Sequence, residues 1–137
     1  MGYFDSFGIS ASGLTAERLR LDIVANNLAN AETTRTPQGG PYRRQTVVFA
    51  QRLQRALHGW RNAGVQVTAI VQDDGPPRTA YQPDHPDARE DGYVEYPNVN
   101  VVNEMIDMLS ATRTYEANAA ALQATKQLAS YALEMGR

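Results

Sequence analysis

Apolar side chains recur at helical spacing along the first thirty residues. Phe7, Leu14, Leu21 and Leu28 follow one another at intervals of seven, which places them along one face of an α-helix. Ser12-Gly13 lies within this stretch, and because glycine inside a helix costs about 1 kcal/mol relative to alanine, we expect this pair to soften or begin the helix. The pattern predicts an N-terminal helix within residues 1–32.

A stronger helical pattern occupies the last third of the chain. Pro97 excludes an earlier start and Gly136 favours a stop, so residues 99–137 are expected to form a helix of ~35 residues, roughly 50 Å long. Its key positions alternate in steps of three and four, the spacing of a heptad seam: Met105, Met108, Thr112, Tyr115, Ala119, Leu122, Lys126, Ala129 and Leu133.

The middle of the chain, residues 33–98, holds all seven prolines and short alternating runs that are typical of strands. The runs are 46–49, 65–71, 78–81 and 93–96, separated by turn-rich segments at 37–41, 73–77 and 83–92. Proline fixes φ and glycine supplies positive φ in such turns. We therefore expect a small twisted β insert between the two helices.

These elements predict a fold that is mainly α with a small β insert. A helix of ~50 Å is too long for a compact domain of this size, so the N- and C-terminal helices are expected to pair as an elongated coiled-coil hairpin. The chain is thus divided into an N-terminal axial helix (1–32), a loop and β-rich insert (33–98) and a C-terminal axial helix (99–137).

Each predicted helix contains a stretch without any charged residue, 23–31 in the first and 117–125 in the second. A helix that is free of charge all round is normally surrounded, and a two-helix hairpin covers only one side of each member. Neighbouring chains would supply the rest, and the terminal segments of an isolated chain would be loosely folded. The alternative is an alanine-rich helix chosen for its propensity alone.

Composition and charge narrow the classes of function. The 137 residues include no cysteine, which excludes disulfides, thiol catalysis and cysteine-ligated zinc. The net charge of −2 steers the chain towards neither nucleic acid nor an anionic membrane, and no apolar run is long enough to span a bilayer. We expect no membrane insertion and no nucleic-acid partner.

Charge is nevertheless segregated along the sequence. Residues 33–72 hold six arginines and no acid, whereas residues 73–107 hold nine acids and two arginines. Opposite patches of this kind suit head-to-tail contact between similar subunits. Two ordinary solvated faces are the alternative interpretation.

No pattern of catalytic, cofactor-binding or metal-ligating residues emerges. His58 and His85 have no histidine or acidic partner at helical spacing, and the acidic turn around His85 lacks the spacing of a calcium loop. The glycines fit no phosphate-binding motif and the serines no nucleophile elbow. The sequence therefore predicts no catalytic residue, no cofactor, no metal and no small-molecule substrate.

Several motifs together resemble one family. Residues 10–30, and Asn26-Asn27-Leu28-Ala29-Asn30 within them, resemble the N-terminal signature of flagellar rod, hook and hook-cap-junction proteins. The resemblance narrows to the FlgC family of proximal-rod proteins through residues 33–36, 39–44, 85–88, 92–94, 97–100, 104–108 and 113–118.

The resemblance implies a structural subunit, not an enzyme, that polymerises into the helical drive shaft of the flagellar basal body and transmits torque across the periplasm. It implies export by the flagellar type III apparatus without a cleaved signal peptide. The implied partners are copies of the chain and other rod proteins, with the membrane ring and the export-gate adaptor nearby.

Two sets of residues are expected to make the contacts. Helix packing and intersubunit contacts are assigned to Leu14, Leu21, Leu28, Asn26, Asn27, Asn30, Met105, Met108, Tyr115, Leu122 and Leu133. Intersubunit loop contacts are assigned to Thr34, Arg35, Tyr42, Arg43 and Arg44, the last two as ion-pair partners for the acidic segment of a neighbour.

Two rival functions remain open at this point. In the first, the heptad seam receives one partner helix, as in a regulatory or chaperone-like module, which predicts a defined heterodimer. In the second, acids of the turn at 84–91 hydrolyse peptidoglycan, a reaction that requires two carboxylates in a cleft.

Overall fold

Along the chain, two long helices flank four strands. The computed structural model describes residues 3–56 and 59–136, with side chains described for 6–53 and 62–136, so His58 lies outside the described residues. The elements are α1 (Tyr3–Ala29), β1 (Gln45–Ala56), β2 (Gly59–Gln72), β3 (Arg78–Tyr81), β4 (Tyr93–Tyr96) and α2 (Val101–Met135). The prediction of a mainly helical fold with some sheet is confirmed.

The boundaries of α2 follow from its flanking residues. Asn100 caps the first turn, its side chain accepting a hydrogen bond from the Asn103 backbone N–H, which satisfies one of the four unpaired donors at a helix start. The helix ends at Met135, immediately before Gly136. Its 35 residues match the predicted length and give a rod of about 50 Å.

The two helices pack against each other in antiparallel directions. Residue 13 of α1 lies against Asn118 of α2, and Asn27 lies against Glu104. Between these points the Arg20 guanidinium is 3.4 Å from the Asp107 carboxylate. The pairing of the terminal helices is therefore present in a single chain, while its coiled-coil character stays a prediction.

The residues that pack most closely between these elements are small or polar. In α1 the buried positions are Ala16, Val24 and Asn27, and in α2 they are Glu104 and Ala111. These two buried residues of α2 each lie one position before a residue of the predicted heptad seam, Met105 and Thr112. Small side chains occupy the closest approach because the two backbones come near each other there.

The larger seam residues lie at the margins of this contact. Leu14, Leu21, Leu28, Met108 and Leu122 are half-buried, whereas Met105, Tyr115 and Leu133 are exposed. The three exposed residues are therefore not covered by the other helix of the same chain. Their contact with another subunit stays a prediction.

Strands β1 and β2 form a long antiparallel ribbon, with Gln45 opposite Gln72 and Ala56 opposite Gly59. The predicted strands 46–49 and 65–71 were too short. In residues 50–56 the apolar Ala50, Leu53 and Ala56 recur every three residues, without the alternation of a half-buried strand. The ribbon continues through them because ladder hydrogen bonds do not depend on side-chain character. Two register shifts, after Val48 and after Gln51, bend the ribbon.

Strands β3 and β4 form a second, separate two-stranded sheet, and their predicted bounds are confirmed. Val94, within β4, and Pro97, which directly follows the strand, are fully buried. The rings of Tyr81 and Tyr93, which lie opposite each other in this sheet, meet edge to face at 5.3 Å. The expected single β insert is thus two independent ribbons within the described residues, and the division of the chain at residues 32/33 and 98/99 stays a prediction.

Candidate functional site

A buried polar cluster joins α1, α2 and the start of β1; we call it the polar junction and define it by Asn27, Tyr42, Arg44, Gln45 and Glu104. The Asn27 side-chain oxygen accepts from the Gln45 backbone N–H at 2.9 Å and from the Tyr42 hydroxyl at 2.9 Å. The Asn27 amide nitrogen donates to the Gln45 carbonyl at 2.8 Å and to Glu104 Oε2 at 3.0 Å. All four hydrogen-bonding positions of this amide are therefore used.

Glu104 is the charged member of the polar junction and is fully buried. Arg44 Nε donates to Glu104 Oε1 at 2.5 Å, and an Arg44 terminal nitrogen lies 3.7 Å from Asp107. A buried carboxylate is tolerated only when it is paired and hydrogen-bonded. The pairing explains why Glu104 can occupy the first turn of a helix that faces another helix.

Tyr42 shows the electrostatic effect of this burial. Loss of solvent around the phenol, with the nearby Glu104 carboxylate as a smaller cause, raises the pKa of Tyr42 above its ordinary value of 10.0. The hydroxyl therefore remains protonated and donates to Asn27.

A second meeting point, the glycine crossing, is formed by Ser12, Gly13, Gly64 and Asn118. Ser12 Oγ donates to the Ile9 carbonyl and accepts from the Val65 backbone N–H at 3.0 Å. Gly64 has φ of +110°, and any side chain there would collide with Ser12. On the other side of α1, a side chain at Gly13 would meet the Asn118 amide at 2.9 Å.

The glycine crossing changes the interpretation of Ser12-Gly13. The two residues neither begin nor interrupt α1, which continues from Tyr3 to Ala29. They instead allow the ribbon and α2 to approach the helix closely from different sides.

The predicted loop contacts all have partners within the chain. Arg44 pairs with Glu104, Arg43 with Asp74 at 3.1 Å, and Arg35 with Asp87 at 3.8 Å. Thr34 donates to Asp87, and Tyr42 donates to Asn27. The folded chain thus brings its own basic and acidic segments together. The expected ion pairs of Arg43 and Arg44 with the acidic segment of a neighbour stay a prediction.

The asparagines of the N-terminal motif have separate local roles. Asn27 is buried in the polar junction, whereas Asn26 is exposed and its amide lies 3.3 Å from the Tyr42 hydroxyl. Asn30 donates to the Asn26 carbonyl and side-chain oxygen at 2.9 Å each and accepts from Thr33, at the end of α1. Asn27 is thus the one of these three that reaches both the ribbon and α2.

The far half of α2 is largely exposed to solvent, in contrast to the buried polar junction. Beyond residue 118 it has no buried position, and Leu133 and Met135 are 76% and 83% exposed. Leu128 and Tyr131 are also more than half exposed. We call residues 119–135 the open half of α2.

The β1–β2 ribbon adds further exposed apolar surface. Val48, Leu53, Ile70 and Val71 are all exposed, and an open groove of about 530 Å³ is lined by residues of both α1 and the ribbon. Monomeric proteins rarely leave large apolar patches uncovered.

Within residues 3–56 and 59–136, no group of three or more histidine and acidic side chains is placed to hold a metal ion. Over the same residues, neither helix combines the length and the apolar character that crossing a bilayer requires.

Comparison with known proteins identifies the family. A family model described as "Flagella basal body rod protein" matches residues 7–35, and one described as "Flagellar basal body rod FlgEFG protein C-terminal" matches residues 90–135. The matched segments contain most of α1 and α2.

Relatives of similar length cover all or nearly all of the chain. The protein from Bacillus subtilis (strain 168) is 44% identical with 100% of both chains aligned, and that from Borreliella burgdorferi is 44% identical with 93% of each. The protein from Salmonella typhimurium is 38% identical over 100% of both chains. All three are named flagellar basal-body rod protein FlgC. The chain belongs to the FlgC family.

Membership of the FlgC family confirms the resemblance inferred from the motifs. The chain is a structural subunit of the flagellar basal-body rod, not an enzyme, and it assembles with other rod components.

Sequence reasoning missed the residues that hold the FlgC-family chain together at its two meeting points. Gly64 and Asn118 gave no signal of their own, because each acts through close approach to a residue distant in sequence. Ser12-Gly13 was noticed, but only as a soft point or start of the helix. Glu104 was noticed only within a family motif. The signal that could have identified it is an acid on an inward-facing position in the first turn of α2, which requires a cation such as Arg44 nearby.

Proposed function

We propose that this chain polymerises into the proximal part of the rod, as one subunit of a helical shaft that transmits motor torque across the periplasm. In this proposal α1 and α2 lie along the shaft as a coiled-coil-like pair, and their uncovered faces contact other copies and other rod proteins. The loop and the two ribbons contact adjacent subunits further from the axis.

The open half of α2 is the observation that carries the proposal. It continues beyond the closely packed part of the helix pair, and it presents Leu128, Tyr131, Leu133 and Met135 to solvent. Burial of an apolar side chain of this size contributes about 1.5–3 kcal/mol. Its exposure in one chain therefore supports a strong tendency of this helix to associate with helices of other subunits.

The charges of the insert support contact between unlike surfaces. Arg35 is largely exposed, and Arg43 and Asp74 form a pair on the surface. Such exposed pairs contribute little within one chain, so these groups can re-pair with a neighbour at little cost. We propose this exchange as the intersubunit role of Arg35 and Arg43, while Arg44 remains in the polar junction.

The route to the rod and the neighbours at its base belong to the same proposal. We infer export through the flagellar type III apparatus without a cleaved signal peptide, and contacts near the membrane ring and the export-gate adaptor. Family membership supports both inferences, and a chain without cysteine has no disulfide to prevent passage in an unfolded state.

Torque transmission requires each subunit to be stiff. The polar junction and the glycine crossing connect α1 to the ribbon and to α2 at two separated points. Dense packing and fully satisfied buried polar groups resist deformation, which supports a subunit that moves as one body.

The proposal is tested by a triple variant of the open half, Leu128→Ser, Tyr131→Ser and Leu133→Ser, in a strain that lacks the wild-type gene. The matched control replaces the exposed polar residues Gln123 and Gln127 with serine. We expect the triple variant to be exported, but the strain that carries it should not swim and its purified basal bodies should lack rods. The strain that carries the control variant should swim and build rods.

The isolated triple variant should keep the helical circular-dichroism signal of the wild type, because the replaced side chains are exposed. Normal swimming and normal rods with the triple variant would contradict the proposal. A stable one-to-one complex with a single partner, without further growth, would instead favour the heterodimeric module.

A further inference from the structure

We propose that Asn27 is a positioning residue that fixes the direction of the β1–β2 ribbon relative to the helix pair. Its side-chain amide bonds to both the N–H and the carbonyl of Gln45, at 2.9 and 2.8 Å. The residue opposite Gln45 in a neighbouring antiparallel strand would make the same two contacts. Asn27 therefore acts as a one-residue strand at the edge of the ribbon.

The location of this contact is mechanically important. Gln45 is the first residue of β1 and lies opposite Gln72, and the Asp73 N–H bonds to the Arg44 carbonyl at 2.8 Å just beyond this pair. A two-stranded ribbon alone is only marginally stable. Asn27 binds the edge of the ribbon where the chain enters it, so a small displacement here would swing the whole ribbon.

A closed ring of contacts holds Asn27 in turn. Its remaining N–H donates to Glu104 at 3.0 Å, Glu104 accepts from Arg44 at 2.5 Å, and Arg44 directly precedes Gln45. The ring contains one member from each helix, the first residue of β1 and the residue that precedes it. Because each group in it is hydrogen-bonded, loss of one leaves a buried donor or acceptor unpaired.

The ring lies entirely within one chain. The orientation of the ribbon is therefore determined in the protomer itself and depends on neither polymerisation nor any contact with another subunit. Failure of the rod proposal would leave this inference standing, and its own test uses the isolated chain.

The chain has no cysteine, which allows two nitroxide labels to be attached without a prior change. Exposed positions on the ribbon and on α2 are provided by Ala69→Cys and Ser110→Cys. We expect a single narrow distance distribution by pulsed electron paramagnetic resonance in the labelled parent. We expect the same in Asn26→Ala, the matched control from the adjacent exposed asparagine.

Asn27→Ala should widen that distribution at least about twofold while the helical circular-dichroism signal is retained, because the ribbon loses its edge contact but the helices keep their apolar packing. A merely stabilising residue would not change the distance distribution of the molecules that remain folded. A distribution as narrow as that of Asn26→Ala would overturn the proposal.

A second experiment decides the matter if Asn27→Ala fails to fold. Asn27→Asp removes both donated hydrogen bonds and places a second carboxylate beside Glu104, whereas Glu104→Gln supplies a donor at that position. We expect Asn27→Asp to raise the unfolding constant at least about tenfold. The unfolding constant of the double variant should be at least about threefold lower than the value obtained by multiplying the effects of the two single variants. Strict additivity would overturn the proposal.

Discussion

Two charge-free stretches of helix look alike in the sequence and differ in the folded chain. The first stretch, residues 23–31, includes the buried Val24 and Asn27 of α1 and the buried Ala31 just after it. Asn27 there contacts both α2 and the start of the ribbon. In α2, residues 117–125 contain no buried position. The absence of charge indicates that a helix is to be covered, but it does not indicate whether its own chain or another chain does so.

The difference modifies the expectation that both terminal segments are incomplete in an isolated chain. The second part of α1 and the first part of α2 form a closed region around the polar junction, with its own buried charge pair. The open half of α2 has no equivalent. Incompleteness is therefore concentrated in one part of the helix pair.

The largest effect on stability is expected from Arg44→Ala. It leaves the buried Glu104 carboxylate without its ion-pair partner, a change that destabilises by about 3–5 kcal/mol. Arg52→Ala, at an exposed position of β1, is the matched control and should change the free energy of unfolding by less than about 0.5 kcal/mol. Urea denaturation of the isolated chain measures both changes. Equal effects of the two variants would show that the pair of Arg44 and Glu104 does not stabilise the folded chain.

A smaller effect is expected at the glycine crossing. Gly64→Ala forces a side chain into positive φ and against Ser12, which should destabilise by about 1–3 kcal/mol. Gly8→Ala in α1 meets nothing within 4 Å and should be neutral or stabilising by up to about 1 kcal/mol. Thermal unfolding compares the two, and a neutral Gly64→Ala would show that the ribbon does not depend on this approach.

The raised pKa of Tyr42 predicts a modest dependence on alkaline pH. The folded chain holds the phenolic proton more tightly than the unfolded chain, so the stabilisation is fully present below pH ~10 and is lost as pH rises through the folded pKa. Tyr42→Phe should cost about 1 kcal/mol at neutral pH and reduce this alkaline loss. Urea titrations at several pH values measure the slope, and an unchanged slope in Tyr42→Phe would assign the loss to other groups.

The smallest effect on the isolated chain is expected in the open half. Leu133→Ser should change the free energy of unfolding by less than about 0.5 kcal/mol, since the side chain is already 76% exposed. A loss comparable to that of Arg44→Ala in the same urea experiment would show that the open half is packed within the monomer.

Much of the fold could be predicted from local pattern. The spacing of apolar residues located both helices, and β3 and β4 were located by alternation between turn segments. The full length of the β1–β2 ribbon was not predictable in this way, because residues 50–56 carry no apolar alternation and are ordered by pairing with a distant strand.

The two meeting points were hidden for a related reason. Sequence patterns select large apolar residues such as Leu21 and Met105, whereas the closest contacts in the structure are made at Gly13, Asn27 and Gly64. Small and polar residues show their importance only when a partner from another part of the chain is known. The assignment of Asn27 to the helix contacts came from the family motif, which did not reveal its bonds to Gln45.

Residue-resolved hydrogen exchange along α2, in the isolated chain and in purified basal bodies, tests the division of this helix most directly. We expect residues 104–118 to be protected in both samples, and residues 119–135 to exchange rapidly in the isolated chain and to become protected only in basal bodies. Uniform protection of α2 in a proven monomer, or continued rapid exchange of its open half in basal bodies, would contradict the division.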